Sequence, residues 1–196
     1  MKKRIAIFVD ARKKSGGVYQ EILNTIEKIK KYNSDDLKFS IIITSKKLDI
    51  NLENENIEFH YFSMNAVERY ICYLRNFGPF VSRFKKYFFF QNKFENFLKK
   101  INVDLVYFPH ASQYSLYLED IKFIINVADV NHRENIEFPE VVNSSEFQRK
   151  DDIFKKSLPR ALAIITNANI IKKRISFFYG ILEERIFIIN LKPSSF

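Results

Sequence analysis

The chain has 196 residues, 46% apolar and 28% charged, which suits one folded core and excludes a disordered or collagen-like chain. Its net charge of +9 bears on partners rather than fold, and fits nucleic acid, an anionic membrane surface or phosphorylated substrates. A single cysteine, Cys72, excludes an internal disulfide framework and suits a reducing compartment.

Residues 4–9, Arg-Ile-Ala-Ile-Phe-Val, read as a buried parallel strand, because the apolar residues are continuous rather than alternating. Behind Lys2, Lys3 and Arg4 this run is too short for a signal peptide, and no window approaches the ~18 apolar residues of a spanning helix. A cytoplasmic location, free or peripheral at the inner membrane face, is expected. Asp10 ends the strand, and Gly16-Gly17 opens a helix from about Val18 to Lys31, with Ile22, Ile26 and Ile29 on its apolar stripe. Strands follow at Phe39–Thr44 and Ile57–Phe62, the second preceded by the polar segment 49–56.

Two helices come next, about Asn65–Asn76 and Phe80–Lys100, broken by Gly78-Pro79. On the first, Val67, Tyr70, Ile71 and Leu74 form the expected apolar stripe, and Cys72 beside it is read as a packing residue rather than a nucleophile. Across 66–100, eight basic residues face two acidic ones with many phenylalanines between them. Such a basic-aromatic surface, with Arg83, Lys85, Lys86 and Lys93, suits an anionic bilayer; a core helix with a solvated lysine face fits the same pattern. No recognised nucleic-acid module is present.

Further strands are expected at Asp104–Phe108, Lys122–Val127, Ala161–Ile165 and Arg185–Asn190, with helices at Ser145–Leu158 and Ala168–Phe178, the last closed by Gly180. Strands alternating with helices at this spacing predict an α/β fold, a Rossmann-like doubly wound parallel sheet of about seven strands. In such a sheet, ligands bind outside the carboxyl ends of the strands. The polar groups falling there are Asp10, Thr44, Ser45, Ser63, His110, Asp129, Thr166 and Asn167. The fifth strand is followed by a polar loop with Asp129, His132, Arg133 and Glu134 before Pro139. Gly16 and Gly17 precede a helix, where free N–H groups and the helix dipole favour an anion, although the pattern matches neither a dinucleotide fingerprint nor a P-loop. His60, flanked by Phe59 and Tyr61, is read as a structural or surface residue. The acidic pairs Asp35-Asp36, Asp151-Asp152 and Glu183-Glu184 are read as solvated. No residue set has metal-ligand spacing, so no metal is expected, and no Gly-x-Ser-x-Gly elbow occurs.

The order of these pieces resembles the N-terminal half of a GT-B glycosyltransferase of family 4, the group often labelled as glycosyltransferase family 1 domains. The resemblance rests on Arg4–Asp10 with Ser15-Gly16-Gly17-Val18-Tyr19, on Asp104–Pro109, and on Asp129-Val130-Asn131-His132-Arg133 followed by Phe138-Pro139-Glu140. It extends through Ala161–Asn167 to Tyr179-Gly180 and Glu184-Arg185-Ile186, nearly the whole chain. It implies sugar transfer, hexosyl and retaining, from a nucleotide-sugar co-substrate to a glycan or lipid-linked acceptor, without an obligatory cofactor. It further implies that Gly16 and Gly17 approach the donor diphosphate, that Asp129 and His132 serve catalysis, and that His110 and Arg133 contact the acceptor. The sequence departs from the family at Ala128, where a histidine is usual before the strand-end Asp. The family's donor-binding domain is also missing, so residues 1–191 are expected to be the acceptor-side domain and 192–196 the start of a linker. Taken alone the chain is then expected not to transfer sugar, being either a fragment from a truncated gene or one subunit of a split enzyme completed by a separate donor-binding subunit. The alternative, from another class, is a non-catalytic basic module that recruits a partner subunit to the membrane surface.

Overall fold

The computed structural model describes residues 2–10, 17–32, 35–45, 57–77, 92–134 and 146–189. Its seven strands form one sheet in the order β3-β2-β1-β4-β5-β6-β7. They are β1 (Lys3–Val9), β2 (Leu37–Ile43), β3 (Ile57–Tyr61), β4 (Leu105–Phe108), β5 (Lys122–Asn126), β6 (Ala163–Thr166) and β7 (Ile186–Ile188). The helices are α1 (Gly17–Lys31), α2 (Ala66–Phe77), α3 (Lys93–Lys100), α4 (Asn131–Glu134), α5 (Glu146–Ser157) and α6 (Asn169–Tyr179). The doubly wound α/β architecture predicted from the alternation of elements is the one found. The chain divides into two compact units, residues 1–109 with 116–122, and residues 110–115 with 123–196.

In the first unit β1 pairs in parallel with β2 and β4, and β2 with β3. The strand order reverses beside β1, the position where a doubly wound sheet opens a crevice at its carboxyl edge. Ala6, Ile7, Phe8 and Val9 are all buried because β1 is covered on both faces. Ile7 and Val9 join Ile22 and Ile26 of α1 in one cluster. Phe8 meets Phe94 of α3 at 5.1 Å between ring centroids, edge to face.

Local chemistry sets the helix ends. Asn65 and Glu68 form a reciprocal capping box on α2, each backbone N–H donating to the other's side chain at 2.9 Å. At the end of α3, Asn102 takes a left-handed φ of 56°. Its N–H donates to Lys99 O and that of Val103 to Leu98 O, both at 3.0 Å, a Schellman closure that suits asparagine. Within α3, Glu95 is buried and its carboxylate accepts from the backbone N–H groups of Glu119, Asp120 and Ile121 at 2.9, 2.7 and 2.7 Å. That anchors the segment leading into β5.

One face was misjudged. The stripe expected on α2 placed Val67 and Tyr70 inward, yet they are 66% and 62% exposed while Cys72 is 1% exposed. Ile71 and Leu74 of that stripe are half-buried, and the inward face also carries polar groups: Arg75 pairs with Glu119 at 2.8 Å, and Asn76 donates to Leu116 O at 2.8 Å. Polar partners in the segment 116–119 therefore fixed the helix rotation that apolar periodicity assigned wrongly.

In the second unit β6 pairs in parallel with β5 and β7, and α6 packs on β6 and β7. Gly180 closes α6 with φ 65°, its N–H donating to Ser176 O at 2.9 Å.

Candidate functional site

In the first unit, Asp10 follows β1 and accepts from Thr44 Oγ1 at 3.1 Å, joining the carboxyl ends of β1 and β2. Gly17 is the first residue of the 15-residue helix α1, so the backbone N–H groups of that first turn lack intrahelical partners. Gly16 lies outside the described residues, as do Arg83, Lys85 and Lys86 of the basic-aromatic stretch. Lys93 is described, and its ammonium is engaged by Glu68 at 2.7 Å. Among the described residues, no helix is long and apolar enough to cross a membrane, and no group of three His, Cys, Asp or Glu side chains could hold a metal ion.

In the second unit the site is built at the carboxyl ends of β5 and β6. Asn126 pairs with Ile165, and the Val127 N–H donates to Ile165 O at 2.8 Å. Continuing that register sets Thr166 beside Val127 and Asn167 beside Ala128. Asp129 is half-buried, and its Oδ1 accepts from the Asn131 N–H at 3.1 Å, which starts α4. Ala128, just before Asp129, is exposed. His110 is half-buried, two residues beyond β4.

His132 and Arg133 do not face outward beside Asp129. His132 is 3% exposed, its ring edge-to-face with Phe154 at 5.2 Å and tilted against Phe147 at 5.9 Å. Its Nε2 lies 2.8 Å from Tyr179 Oη at the end of α6. The Arg133 guanidinium reaches Asp151 of α5 from Nε at 2.7 Å, and lies over the rings of Phe147 and Tyr179 at 5.4 and 5.8 Å. Tyr179 Oη also donates to Asp151 Oδ1 at 3.3 Å. Lys155 completes the cluster on Asp151 Oδ2 at 2.9 Å, and Glu134 pairs with Arg174. The turn carrying Asp129 is thus tied to α5 and α6 by its own two following side chains.

The electrostatics follow from this enclosure. Burial pushes the His132 imidazole below its ordinary value, helped by nearby Lys150 and Arg133 against the opposing pull of Asp151 and Asp129. Burial works to raise the Asp151 carboxyl, but the hydrogen bonds from Lys155 and Arg133 outweigh it and hold the group low, so it is ionised. Burial raises the Tyr179 phenol, which keeps its proton. Asp151 was expected to be solvated and is 6% exposed instead. Neither Asp151 nor Tyr179 was singled out from the sequence for this role. No local sequence signal pointed to them, because the contacts join α4 to residues of α5 and α6 distant in the chain.

Among the described residues, three buried polar atoms here have no hydrogen-bond partner: His132 Nδ1, Thr166 Oγ1 and Asn167 Oδ1. Buried polar groups are ordinarily paired, so Thr166 and Asn167 at the end of β6, and His132 in α4, stand out.

No protein-family model matches the sequence, and no curated protein matches it. Among solved structures, the chain is similar to the apo form of a lipopolysaccharide outer core galactosyltransferase, WaaB. The TM-score is 0.55 at 13% identity, over 97% of this chain and 46% of that one. A weaker similarity is to an α,α-trehalose 6-phosphate synthase from Burkholderia multivorans, with a TM-score of 0.44 at 10% identity, over 91% of this chain and 43% of that one. The chain spans about half the length of the galactosyltransferase it matches. The likeness is one of fold: an α/β, Rossmann-like parallel sheet, GT-B-like in architecture.

Proposed function

We propose that the chain is the acceptor-side half of a sugar transferase that uses a nucleotide-sugar donor and a glycan or lipid-linked acceptor. The observation that carries this reading is Asp129, a half-buried carboxylate three residues beyond β5, on a turn tied down through His132 and Arg133. It sits on a fold similar to that of a galactosyltransferase. Fold alone does not make function, so the reading rests on the site. In this scheme Asp129 orients an acceptor hydroxyl, or takes its proton as the oxygen attacks the anomeric carbon and the nucleotide diphosphate departs. Gly16 and Gly17 let the donor diphosphate approach the first turn of α1, where N–H groups favour an anion. His110 contacts the acceptor. His132 and Arg133 serve by holding the turn. A donor-binding domain, in the same or a neighbouring polypeptide, supplies the opposite wall, and residues 1–191 act as the domain that receives the acceptor.

The test is release of nucleotide from a panel of nucleotide-sugars by the chain together with its donor-binding companion. Asp129→Ala should cost roughly 10²-fold or more in rate while leaving the circular dichroism spectrum unchanged. A rate within about twofold of the parent would remove Asp129 from the mechanism.

A further inference from the structure

Three hydrogen-bonding groups of the second unit stand in series: the Asp151 carboxylate, the Tyr179 hydroxyl and the His132 ring. Their proton arrangement can be worked out from the ends inward. Asp151 is ionised and accepts only, and it already accepts from Arg133 and Lys155. A phenol has one proton to give. If Tyr179 gave it to His132, its oxygen would face Asp151 Oδ1 at 3.3 Å as one acceptor against another. If Tyr179 gives it to Asp151, its lone pairs are free, and Nε2 must carry a hydrogen to bond at 2.8 Å.

We infer that Tyr179 and Asp151 are positioning residues that fix His132 in the Nε2–H tautomer, leaving Nδ1 as a bare acceptor in the turn behind Asp129. Which ring nitrogen carries the proton is set by what the other groups around the ring accept or donate. Nδ1 has no partner among the described residues. Nδ1 is enclosed with the ring, which packs against Phe147 and Phe154, so the tautomer is set inside the protein by Tyr179 and Asp151. The tautomer assignment does not rest on the reading of Asp129, and its test needs no sugar transfer.

The experiment is nitrogen-15 NMR of the ring of His132 in the intact chain at pH 7.5, compared with Tyr179→Phe and Asp151→Asn. The parent should show a pyrrole-type Nε2 bearing hydrogen and a pyridine-type Nδ1. Removing the phenol oxygen in Tyr179→Phe should give a mixture of the two tautomers. In Asp151→Asn the new amide can donate to Tyr179, which turns the phenol proton toward Nε2 and moves the ring hydrogen to Nδ1. Should Tyr179→Phe not fold, Asp151→Asn, which keeps the side-chain shape, carries the comparison. An Nδ1–H ring in the parent overturns the inference, as does an unchanged Nε2–H tautomer in the folded variants. Either failure leaves the Asp129 reading standing, and a dead transfer assay leaves the tautomer result standing.

Discussion

Arg133 closes on a single oxygen of Asp151, with Nε at 2.7 Å and a terminal nitrogen at 2.6 Å, both on Oδ1. The other oxygen is left for Lys155 at 2.9 Å. The two cations are not equivalent. Side-chain exposure is 23% for Arg133 and 58% for Lys155. Removing the shared carboxylate in Asp151→Ala strands the arginine against Phe147 and Tyr179, and should cost about 3–5 kcal/mol. Lys155→Ala breaks a solvated pair and should cost no more than about 1 kcal/mol. Urea denaturation of the two variants checks the ordering; equal losses would mean that Arg133 finds another partner.

Acid should loosen the same turn. The folded state favours neutral His132, so its pKa lies below the ordinary value of about 6.5. A depressed histidine pKa means that the unfolded chain takes up the proton first. The stabilising contribution is therefore fully present above the unfolded value and is lost as pH falls below it toward the folded value. The groups acting on the ring are Lys150, Asp151, Arg133 and Asp129. Urea midpoints at pH 7.5 and 5.5 should differ in the parent, and the difference should shrink in His132→Gln, whose amide can still donate to Tyr179. An undiminished difference would assign the acid sensitivity to other groups.

A third prediction concerns Glu95, whose two oxygens serve three consecutive backbone N–H groups ahead of β5. Each buried donor left unpaired costs about 1–3 kcal/mol. Glu95→Gln keeps one accepting oxygen and replaces the other with a donor facing those N–H groups. It should lower stability by about 2–4 kcal/mol, and amide exchange at Glu119, Asp120 and Ile121 should accelerate. Protection retained at all three amides would show that the carboxylate does not hold them.

Strands and turns were more legible than faces. The unbroken apolar run before Asp10 could only be a strand covered on both sides, and Ala6–Val9 are so buried. Gly180 announced the end of α6 because a left-handed cap is glycine's position. Helix rotation was harder where polar partners decide it. On α2 the sequence offers Val67 and Tyr70 as a stripe, and only the distant Glu119 and Leu116 reveal that Arg75 and Asn76 turn inward. The site divides the same way. Asp129 was visible as a charge ending an apolar strand. The inward turn of His132 was not visible, because it depends on Tyr179, 47 residues away, and on Asp151 between them. An acidic pair on a helix reads as solvated until the arginine that buries it is known.

Cys72 gives the last test, of the polar interior beneath α2. It is 1% exposed, and its Sγ lies 3.5 Å from Asn92 Oδ1. Asn92 in turn donates to Tyr117 O at 2.6 Å and to Glu119 at 3.0 Å, while Arg75 holds Glu119 from α2. Burial raises the thiol pKa, with Glu119 adding to it and Arg75 opposing, so both access and thiolate fraction are low in the folded chain. A thiol reagent at pH 8 should therefore label the native protein far more slowly than the urea-unfolded chain. Arg75→Ala removes the ion pair that joins α2 to the segment 116–119, and should speed labelling at least about tenfold if local opening becomes about 1.4 kcal/mol easier. Rapid labelling of the parent would show that α2 opens without this pair breaking, and that the Arg75–Glu119 contact does not hold the helix down.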